Sequence, residues 1–600
     1  MCGISGIYED YIKPKRFIKS TLNIMNQSMV RRGPDAQGIW IDKKINFGMA
    51  HTRLSIIDLT SKANQPMISF DNRYVIAFNG EIYNFFDLKS ELIKQGFRFT
   101  TNSDTEVILN LFIKYKHKML TRLRGMFAIA IWDTKNKKLF LARDPYGIKP
   151  LYIAKTSNGW IFASQVKAIL ETNILARDID QKGVDSFQLF GNVNEPYTWF
   201  KNIRAVPSGS FLEIDKNLKI TSTFKYWDIA DSWIRASKFS SKNFDRKNVI
   251  NNVRKFLIES IKYHLVSDVK IGILLSAGVD STILLSLIKE LGLKNIIAIT
   301  VQFDEFLGTV NDESAIAADI ASHFGVEHYI RKVSKAEFEA DIGLITLSMD
   351  QPSIDGVNTW YACKAASEKK LKVVLSGVGA DEIFFGYPAF TQIPKIFAIY
   401  NNFKKLFFLK FFLYLLCQLL SQVTSKKKWR DFPGLISNID NLWLAKRLIT
   451  SINEFQNSNH SESRFLKFRK YNFKDWILNL TSKNLKNPEL RISQLDSLGY
   501  LRNQLLRDSD WASMSHSVEL RTPFVDAHFL KNLEPYLSSF KFFPNKELLI
   551  KSVIKEIPDY VISRKKTGFN IPINKWYSEI CNKKNKKWLQ KVAEIYELQF

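Results

Sequence analysis

Short apolar runs followed by small-residue loops mark the second half of the chain. Residues 269–275 read Val-Lys-Ile-Gly-Ile-Leu-Leu, and the loop 276–281 and an apolar helical stretch over 282–291 come next. Residues 295–303 and 371–375 repeat the apolar run. Runs of this kind are typical of buried parallel strands. The pattern predicts an α/β doubly wound parallel sheet, in which ligands bind beyond the carboxyl ends of the strands.

The first half has a different pattern, dominated by strands. Residues 74–78 resemble a strand, and residues 126–132 and 138–143 flank a turn as in a hairpin. Ser103 and Glu106 have the spacing of a capping box, which predicts the start of a helix. We therefore expect an α+β layered domain here.

Composition then suggests three parts. Residues 1–210 carry the strand-rich pattern, residues 211–250 are polar and rich in Ser and Lys, and residues 251–600 carry the α/β pattern with added helices. We expect two domains joined by the segment 211–250. A length of 600 residues with 46% hydrophobic content is ample for two buried cores.

The cysteines and the start of the chain indicate the compartment. Four cysteines are scattered over the chain, with neither a disulfide framework nor the spacing of a metal site. No apolar run follows Met1, so we expect no signal peptide. Both features favour a reducing, cytoplasmic setting.

The most apolar stretch is residues 406–417. It contains Lys410 and is shorter than the ~20 residues that a membrane-spanning helix needs. We predict a buried helix and no membrane span. Basic residues on both sides of the stretch leave open a peripheral contact with a membrane surface.

The net charge of +27 raises the question of an anionic partner. Lys and Arg are spread along the chain, and the sequence contains no RNA-binding motif, zinc finger or long basic tail. We expect no nucleic-acid partner, whereas an anionic substrate fits the charge. The sequence leaves the oligomeric state open, including a homodimer.

Cys2 is the first candidate for chemistry. It directly follows Met1, and Met is usually removed before so small a residue. The mature chain would then carry a thiol and a free α-amine on one residue, with unperturbed pKa values near ~8.5 and ~8. The amine can serve as the base for its own thiol. Gly3 and Gly6 let the backbone approach a ligand closely.

Six more motifs accompany Cys2-Gly3-Ile4 in a definite order. Together they resemble a class II glutamine amidotransferase domain, which has the N-terminal-nucleophile fold. The motifs are Arg-Arg-Gly-Pro-Asp at 31–35, His-Thr-Arg-Leu-Ser-Ile-Ile-Asp at 51–58, Phe-Asn-Gly-Glu-Ile-Tyr-Asn at 78–84, Ser-Asp-Thr-Glu at 103–106, Leu-Arg-Gly-Met-Phe-Ala at 123–128 and Ala-Arg-Asp-Pro-Tyr-Gly-Ile-Lys-Pro-Leu-Tyr at 142–152.

The resemblance implies roles for these residues in glutamine hydrolysis. Cys2 is the nucleophile, and the Asn79 side chain with the Gly80 N–H forms an oxyanion hole. Arg53 matches the α-carboxylate of glutamine bidentately. The implied glutamine pocket is completed by Leu54, Ser55, Ile56 and Ile57, and by Glu81 and Asp104 for the α-ammonium. Gln165 stands where the family usually has Glu, and we expect little consequence from it.

The loop Ser276-Ala277-Gly278-Val279-Asp280-Ser281 follows the first apolar run of the second half. A strand, a small-residue loop and a helix together can bind phosphate through N–H groups. The loop resembles the pyrophosphate loop of ATP pyrophosphatases, with Ala277 in place of a Gly. We expect ATP to contact Leu275, Ser276, Gly278, Asp280, Ser281, Val301, Ser376 and Gly377. Asp280 and Asp381 would face each other and hold Mg²⁺.

Two later stretches, 510–524 and 564–569, resemble signatures of the asparagine synthetase catalytic domain. By that match Lys566 is the cation for the leaving pyrophosphate. The resemblance covers residues 2 to about 575. It implies that glutamine supplies ammonia, that ATP activates a carboxylate, and that the products are an amide, AMP and pyrophosphate.

Three departures cluster on the acceptor side. Val378 replaces a family Glu that is tied to the acyl-adenylate, Phe385 replaces a Gly, and residues 349–356 are unlike the usual sequence. The acceptor therefore stays open between aspartate, which the family favours, and another carboxylate such as an acidic sugar of a surface polysaccharide. Transfer to RNA is a remote alternative.

Overall fold

The computed structural model describes most of the chain. The described residues are 2–10, 15–239, 244–309, 311–403, 407–423, 430–452, 480–481, 485–543, 546–553, 557–564, 571–580 and 588–599.

Seventeen strands form three sheets in this part of the chain. In chain order they are β1 Gly3–Glu9, β2 Ala36–Ile41, β3 Phe47–Arg53, β4 Met67–Ile68, β5 Tyr74–Ile82, β6 Gly125–Asp133, β7 Lys138–Arg143, β8 Tyr152–Lys155, β9 Gly159–Ala163, β10 Ile203–Ala205, β11 Ser210–Ile214, β12 Ile220–Lys225, β13 Ile271–Leu274, β14 Ile297–Phe303, β15 Glu327–Val333, β16 Val373–Leu375 and β17 Glu519–Arg521.

Two six-stranded antiparallel sheets form the first half. Their strand orders are β10-β8-β9-β1-β3-β2 and β12-β11-β7-β6-β5-β4. A buried apolar cluster lies between them and draws on both, with Ile4 and Met49 from one sheet and Val75, Ala128 and Leu141 from the other. This is a sandwich with added helices, which confirms the predicted α+β fold and the hairpin of β6 and β7.

The second half contains a five-stranded sheet of order β15-β14-β13-β16-β17, and all its pairs are parallel. The apolar runs of the sequence become β13, β14 and β16. The strand order runs outward from β13 in both directions, to β14 and β15 on one side and to β16 and β17 on the other, which confirms the predicted doubly wound arrangement. The edge strand β17 was not predicted, because its three residues Glu519, Leu520 and Arg521 have no apolar run.

Helices surround both parts. The α-helices are Lys15–Ser28, Phe85–Lys94, Asp104–Tyr115, Val166–Leu170, Gln181–Phe190, Ala230–Ala236, Arg246–His264, Val279–Glu290, Ser314–His323, Lys335–Ser348, Val357–Glu368, Ala380–Ile383, Ala389–Phe403, Phe407–Val423, Phe432–Leu435, Ile439–Arg447, Pro488–Leu495, Arg507–Met514, Ala527–Leu537, Glu547–Lys551, Asp559–Ile562, Ile573–Ile580 and Trp588–Gln599. Residues Asp496–Leu506 form a π-helix.

The structure differs from the expected segment at 211–250. Strands β11 and β12 lie within or across that range, and β11 pairs with β7 of the second sheet. The sheet of the first half therefore extends to Lys225, and the helix Arg246–His264 follows. The polar composition of β12 reflects its position at the sheet edge, where its residues are mostly exposed.

The helix at Asp104–Tyr115 is capped as predicted, although the box itself is not formed. Ser103 Oγ accepts from the Thr105 N–H. The Glu106 carboxylate accepts from the N–H groups of Thr100 and Thr101 instead of that of Ser103. Glu106 thus stabilises the loop before the helix.

Residues 407–417 of the apolar stretch fall in the helix Phe407–Val423, and the expectation of a buried helix is wrong where side chains are described. Leu415, Leu416, Leu419 and Val423 are exposed, whereas Cys417 is buried. Among the described residues, no helix has the length and apolar character to cross a membrane.

Candidate functional site

Cys2 lies immediately before β1 and is 7% exposed. Its backbone nitrogen donates to Asn79 Oδ1 at 3.1 Å, and Arg32 Nε donates to its carbonyl oxygen at 3.1 Å. Asn79 Nδ2 donates to Ser164 Oγ at 3.4 Å, and Ser164 Oγ also accepts from the Ile4 N–H. The folded chain thus brings the predicted nucleophile and the predicted oxyanion residue into direct contact.

The buried surroundings of Cys2 disfavour the ionised form of its thiol. Burial raises the pKa of Cys2, and a hydrogen bond from the Leu54 N–H opposes that rise. Because the thiolate is the reactive form, a buried thiol needs a base next to it. In a chain that begins at Cys2, the α-amine of the same residue is held at Asn79 and is in place for that task.

Gly80 needs to be glycine for two reasons. Its φ is +152°, and a Cβ at this position would lie 2.0 Å from the Met126 carbonyl oxygen of the neighbouring strand β6. No side chain fits there. Strand β5 therefore carries Asn79 and Gly80 side by side, and their role as an oxyanion hole stays a prediction.

Arg53 is buried, and its guanidinium is held by the loop that follows it. Nη1 donates to the Thr60 carbonyl at 2.7 Å and to Asn64 Oδ1 at 2.9 Å, and Nη2 donates to the carbonyls of Ile57 and Asp58. The contacts order the loop that carries other predicted glutamine residues. Binding of a carboxylate by Arg53 stays a prediction.

The predicted pocket residues 54–57 are anchored from both halves of the chain. The Ser55 N–H donates to Asp35 in the first half, while the Ile56 carbonyl accepts from the N–H of Asp268 in the second. Leu54 and Ile57 are buried. This loop is therefore a direct connection between the two halves.

Glu81 and Asp104 lie together with two residues that sequence reasoning missed. Arg521 Nη2 is 3.8 Å from Glu81 Oε2, and Arg521 Nε is 2.5 Å from Glu519 Oε1. Burial, with the charges of Glu519 and Asp104, raises the pKa of Glu81, and burial raises the pKa of Asp104 to about 6. Excess negative charge in a buried site favours an incoming cation. The cluster suits the α-ammonium of glutamine.

The phosphate-loop candidates of the second half form a compact turn between β13 and the helix Val279–Glu290. Ser276 Oγ accepts from the Gly278 N–H at 3.1 Å, and Ser281 Oγ donates to the Ser276 carbonyl at 3.1 Å. Leu275 directly follows β13. The hydroxyls of Ser276 and Ser281 therefore hold the backbone of this turn next to the N-terminus of the helix.

The other predicted ATP contacts lie on neighbouring strands. Ser376 and Gly377 directly follow β16. A Cβ on Gly377 would lie 2.9 Å from the Cβ of Asp280, so the two loops touch. Val301 lies inside β14, two residues before the strand ends at Phe303.

Lys546 is the cation at this site, and the sequence reasoning missed it. Its Nζ lies 2.6 Å from Asp280 Oδ1 and 2.6 Å from Asp381 Oδ1. Lys546 is 6% exposed, and the two carboxylates raise its pKa despite burial. A lone Lys in the sequence Pro-Asn-Lys-Glu carries no motif, so only its position identifies it.

Asp280 and Asp381 converge as predicted, and their chemistry fits Mg²⁺. Magnesium is usually held by one or two carboxylates together with substrate phosphates. Both carboxylates already form ion pairs with the same ammonium group, that of Lys546. Within the described ranges, no cluster of three or more His, Cys, Asp or Glu residues has metal-binding geometry. A magnesium ion here would need phosphate oxygens as further ligands.

Lys566, the predicted cation for pyrophosphate, lies outside the described residues. Arg564 at the edge of that stretch is described, and its Nη1 lies 3.5 Å from Glu313 Oε1. The role of Lys566 stays a prediction.

The acceptor side retains an unusual backbone. Phe385 has φ +56°, a conformation that favours glycine, and its ring stacks on Phe390 at 4.7 Å. Val378 is half-buried against the main core. Nearby, burial and the charge of Asp381 raise the pKa of Glu382 to about 7, and Tyr387 Oη donates to Glu382 at 2.7 Å. Glu382 is thus a buried carboxyl four residues from Val378.

A cavity lies between the Cys2 region and the second half. Its walls include Arg32, Ser164 and Gln165 on one side and Arg502, Asp510 and Trp511 on the other. Arg32 also forms a buried ion pair with Asp510 at 2.7 Å. Gln165, expected to have little consequence, lies in the wall of this cavity.

Each half of the chain matches the model of a known protein family. A model described as a glutamine amidotransferase domain matches residues 1–227, and one described as asparagine synthase matches residues 252–594. The second match covers more than half of the chain. The chain belongs to the asparagine synthase family.

Curated members of the family align over nearly the whole chain. "Asparagine synthetase [glutamine-hydrolyzing] 1" of Bacillus subtilis is 29% identical over 607 residues, which cover 99% of this chain and 90% of that protein. A "putative asparagine synthetase [glutamine-hydrolyzing]" of Mycobacterium bovis is 31% identical, covering 91% and 83%. A relative with another name, "Amidase chyE" of Penicillium rubens, is 27% identical, covering 98% and 92%.

The fold, the two family matches and these relatives agree on the type of enzyme. This asparagine synthase family member is an amidotransferase of the glutamine-dependent type, with an N-terminal-nucleophile glutaminase half and a synthase half. The relatives do not identify its acceptor.

Proposed function

We propose that the chain transfers ammonia from glutamine to an ATP-activated carboxylate, and that aspartate is the acceptor. Cys2 attacks the glutamine amide, and hydrolysis releases glutamate and ammonia. The acceptor carboxylate attacks the α-phosphate of ATP, which gives an acyl-adenylate and pyrophosphate. Ammonia then displaces AMP and forms the amide.

The single observation that carries the proposal is the pair of sites in one chain. Cys2 at Asn79 supplies a nucleophile, while Asp280 and Asp381 converge on Lys546 next to a phosphate-type loop. Lys546 is suited to the charge of the leaving pyrophosphate. Mg²⁺, when bound, would neutralise phosphate charge, with Asp280 and Asp381 as its protein ligands.

The cavity between the halves is the proposed route for ammonia. Ser164 connects Asn79 to its wall, and Asp510 on the opposite side belongs to the synthase half. Four of its lining residues are arginines: Arg32, Arg143, Arg502 and Arg507. Three carboxylates, those of Glu195, Asp350 and Asp510, share the lining and nearly balance the positive charge, which suits the passage of a neutral molecule such as ammonia.

Cys2→Ala tests the separation of the two reactions. We expect it to abolish glutamine hydrolysis and glutamine-dependent synthesis, while synthesis from added ammonia continues. The measurements are glutamate release and pyrophosphate release with ATP and Mg²⁺. Glutamate release by the variant would refute Cys2 as nucleophile, and ADP with inorganic phosphate as products would refute acyl-adenylate chemistry.

The acceptor needs its own experiment, because Val378 removes the family carboxyl. We expect the wild type to form asparagine from aspartate, ATP and ammonia, with Glu382 as the nearest buried carboxyl available in its place. An acidic sugar is the second candidate, which Val378 favours because no carboxylate at this position would repel it. Pyrophosphate released on a uronic acid, with no asparagine from aspartate, would decide for that candidate.

A further inference from the structure

A second cavity lies where the first half meets the helical part of the synthase half. The chemistry proposed so far does not use it. Its lining combines aromatic rings, amides and one guanidinium, and the residues used below are Asn192, Trp443, Arg447, Tyr500 and Gln504.

One element separates this cavity from the proposed ammonia route. The π-helix Asp496–Leu506 carries Tyr500 and Gln504 in the wall of the second cavity and Arg502 in the wall of the first. π-Helical segments are rare and concentrate at functional sites. The second cavity therefore lies next to the proposed path of ammonia without being part of it.

The cavity also adjoins the phosphate-binding region. The Arg447 guanidinium lies 3.8 Å from the centroid of the Tyr500 ring and 4.9 Å from that of Tyr387. Tyr387 in turn donates to Glu382, the residue after Asp381. A molecule in the cavity is thus one aromatic side chain away from the loop where the carboxylate must be activated.

Residues 349–356, the segment whose sequence departs from the family on the acceptor side, contact the wall of the second cavity. Asn192 forms a β-bridge with Ser353, and a Cβ on Gly191 would lie 2.4 Å from the Ile354 side chain. Ser353 donates to Asp508 at 2.8 Å. Residues 349–356, which depart from the family, therefore support the position of Asn192 in the cavity wall.

Two buried acceptors lack donors, one in the wall of this cavity and one directly behind it. Asn192 Oδ1 and Asp496 Oδ2 are buried without a hydrogen-bond partner in the described part of the chain. Asn192 Nδ2 is already used, since it donates to Gln504 Oε1 at 3.1 Å. A buried acceptor without a donor is destabilising, which favours a ligand that donates hydrogen bonds.

Arg447 supplies the complementary charge. Its Nε and Nη2 both donate to Asp496 Oδ1, at 3.0 and 2.6 Å, and Trp443 Nε1 donates to the same oxygen at 2.6 Å. Asp496 thus holds two residues of the cavity wall in place. Arg447 Nη1 donates to no residue among those described, so it is available to an oxygen of a ligand.

We propose that this cavity holds the non-reacting end of the acceptor, and that this end carries hydrogen-bond donors: the ammonium of an amino acid or the hydroxyls of an acidic sugar. The inference rests on the proposed function, since it assumes a carboxylate acceptor. Asn192 and Gln504 bind the donors, Arg447 binds an oxygen, and the rings of Trp443 and Tyr500 cover the carbon skeleton.

The test compares three acceptors in ammonia-dependent pyrophosphate release: L-aspartate, D-glucuronate and succinate, which has neither ammonium nor hydroxyl. We expect succinate to have a KM at least about tenfold above that of the better of the other two, the effect of losing one or two hydrogen bonds to buried groups. The preferred acceptor identifies whether ammonium or hydroxyls are bound.

Two variants locate the effect in the cavity. Arg447→Gln and Gln504→Met should each raise the KM of the preferred acceptor about tenfold, with smaller changes in kcat and unchanged kcat/KM for glutamine hydrolysis. Lys446→Gln is the matched control. Lys446 is the exposed neighbour of Arg447 on the same helix, and its Nζ contacts Gln392. It should leave every parameter unchanged.

An unchanged KM in both variants, or a succinate KM equal to the other two, would overturn the proposal. If a variant fails to fold, thermal stabilisation of the wild-type protein by the three acids decides instead, and equal shifts would count against the cavity. Absence of pyrophosphate release with every acceptor would contradict the proposed function. In that case the same thermal shifts still test the cavity.

Discussion

At the scale of single residues, Asp280 and Asp381 share one ammonium, that of Lys546. Lys546 is buried, at 6% exposure, whereas the side chains of Asp280 and Asp381 are partly buried, at 20% and 16%. An ion pair of this kind is sensitive to the loss of one partner, because the remaining charges stay partly buried and uncompensated.

Lys546→Met tests this arrangement. We expect pyrophosphate release to be lost and the free energy of unfolding to fall by about 3 kcal/mol, because two carboxylates then lack their cation. Glutamine hydrolysis should continue. Lys551→Met is the control, since Lys551 is an exposed residue paired with Glu547 on the next helical turn. Retained pyrophosphate release in Lys546→Met would contradict the assigned role.

The raised pKa of Asp104 leads to a prediction about the pH dependence of glutamine hydrolysis. Burial raises its pKa to about 6, against the hydrogen bonds from Ile82 and Thr105. In the predicted glutamine site the carboxylate would attract the ammonium of glutamine above that pH, and below it the site loses this charge. We expect kcat/KM for glutamine to fall as pH drops through about 6, since this parameter reports ionisations of the free enzyme.

Asp104→Asn provides the check on this assignment. The variant should have a lower kcat/KM at pH 7 and should lack the fall near pH 6. The effect on stability has the opposite direction. Because the folded pKa lies above the ordinary value of 3.8, the carboxyl favours the fold at low pH, and that contribution is lost as pH rises through about 6. An unchanged pH profile in the variant would exclude Asp104.

At the scale of elements, the pairing of strands β5 and β6 requires glycine at position 80. The strand must bring Asn79 to Cys2 while its neighbour Gly80 passes within contact of the Met126 carbonyl. The sequence shows Asn79-Gly80 as part of a motif. Position 80 must be glycine because the backbone of Met126, 46 residues later in the sequence, lies against it.

Gly80→Ala should therefore destabilise the fold strongly. We expect the free energy of unfolding to fall by about 3 kcal/mol, because both the positive φ and the clash with Met126 oppose a Cβ. Gly96→Ala is the matched control. Gly96 also has a positive φ, of +87°, but no atom lies within 4 Å of its would-be Cβ. Urea unfolding of both variants separates clash from strain, and equal losses would contradict the clash.

Element prediction succeeded where a pattern is local. The parallel strands followed from continuous apolar runs, and the helix after Ser103 followed from its cap. The edge strand β12 and the π-helix Asp496–Leu506 were not predicted. Edge strands lack a buried face, and a π-helix differs from an α-helix by packing more than by composition.

At the scale of the whole molecule, the two halves are connected by buried charge. Arg32 forms two hydrogen bonds to Asp510, at 2.7 and 3.1 Å, and a third to the carbonyl of Cys2. Lys149 Nζ lies 3.8 Å from the same carboxylate. The position of Cys2, the predicted nucleophile, therefore depends on a carboxylate of the synthase half.

Asp510→Asn should uncouple the two halves. The amide keeps the shape but loses the charge that balances Arg32. We expect glutamine-dependent synthesis to fall about tenfold or more, an effect in the range measured for buried charge pairs, while ammonia-dependent synthesis changes less. The ratio of the two rates is the measurement. Equal losses in both would show that Asp510 acts on the synthase half alone.

The sequence by itself determined the two-part organisation, the α+β and α/β folds, and most of the candidate site residues. These follow from apolar periodicity, caps and short motifs, all of which are properties of neighbouring residues. Cys2, the Asn79-Gly80 pair and the loop at 276–281 are each readable within a few positions, because their chemistry needs contiguous backbone.

Only the tertiary structure decided which distant charges meet. Lys546 lies 266 residues from Asp280, and Arg32 lies 478 residues from Asp510. Arg521 reaches Glu81 across a similar separation, and the two cavities are lined by segments that lie far apart in the sequence. Electrostatic partners in a buried site are chosen by proximity after folding, and proximity at this range leaves no periodic pattern along the chain.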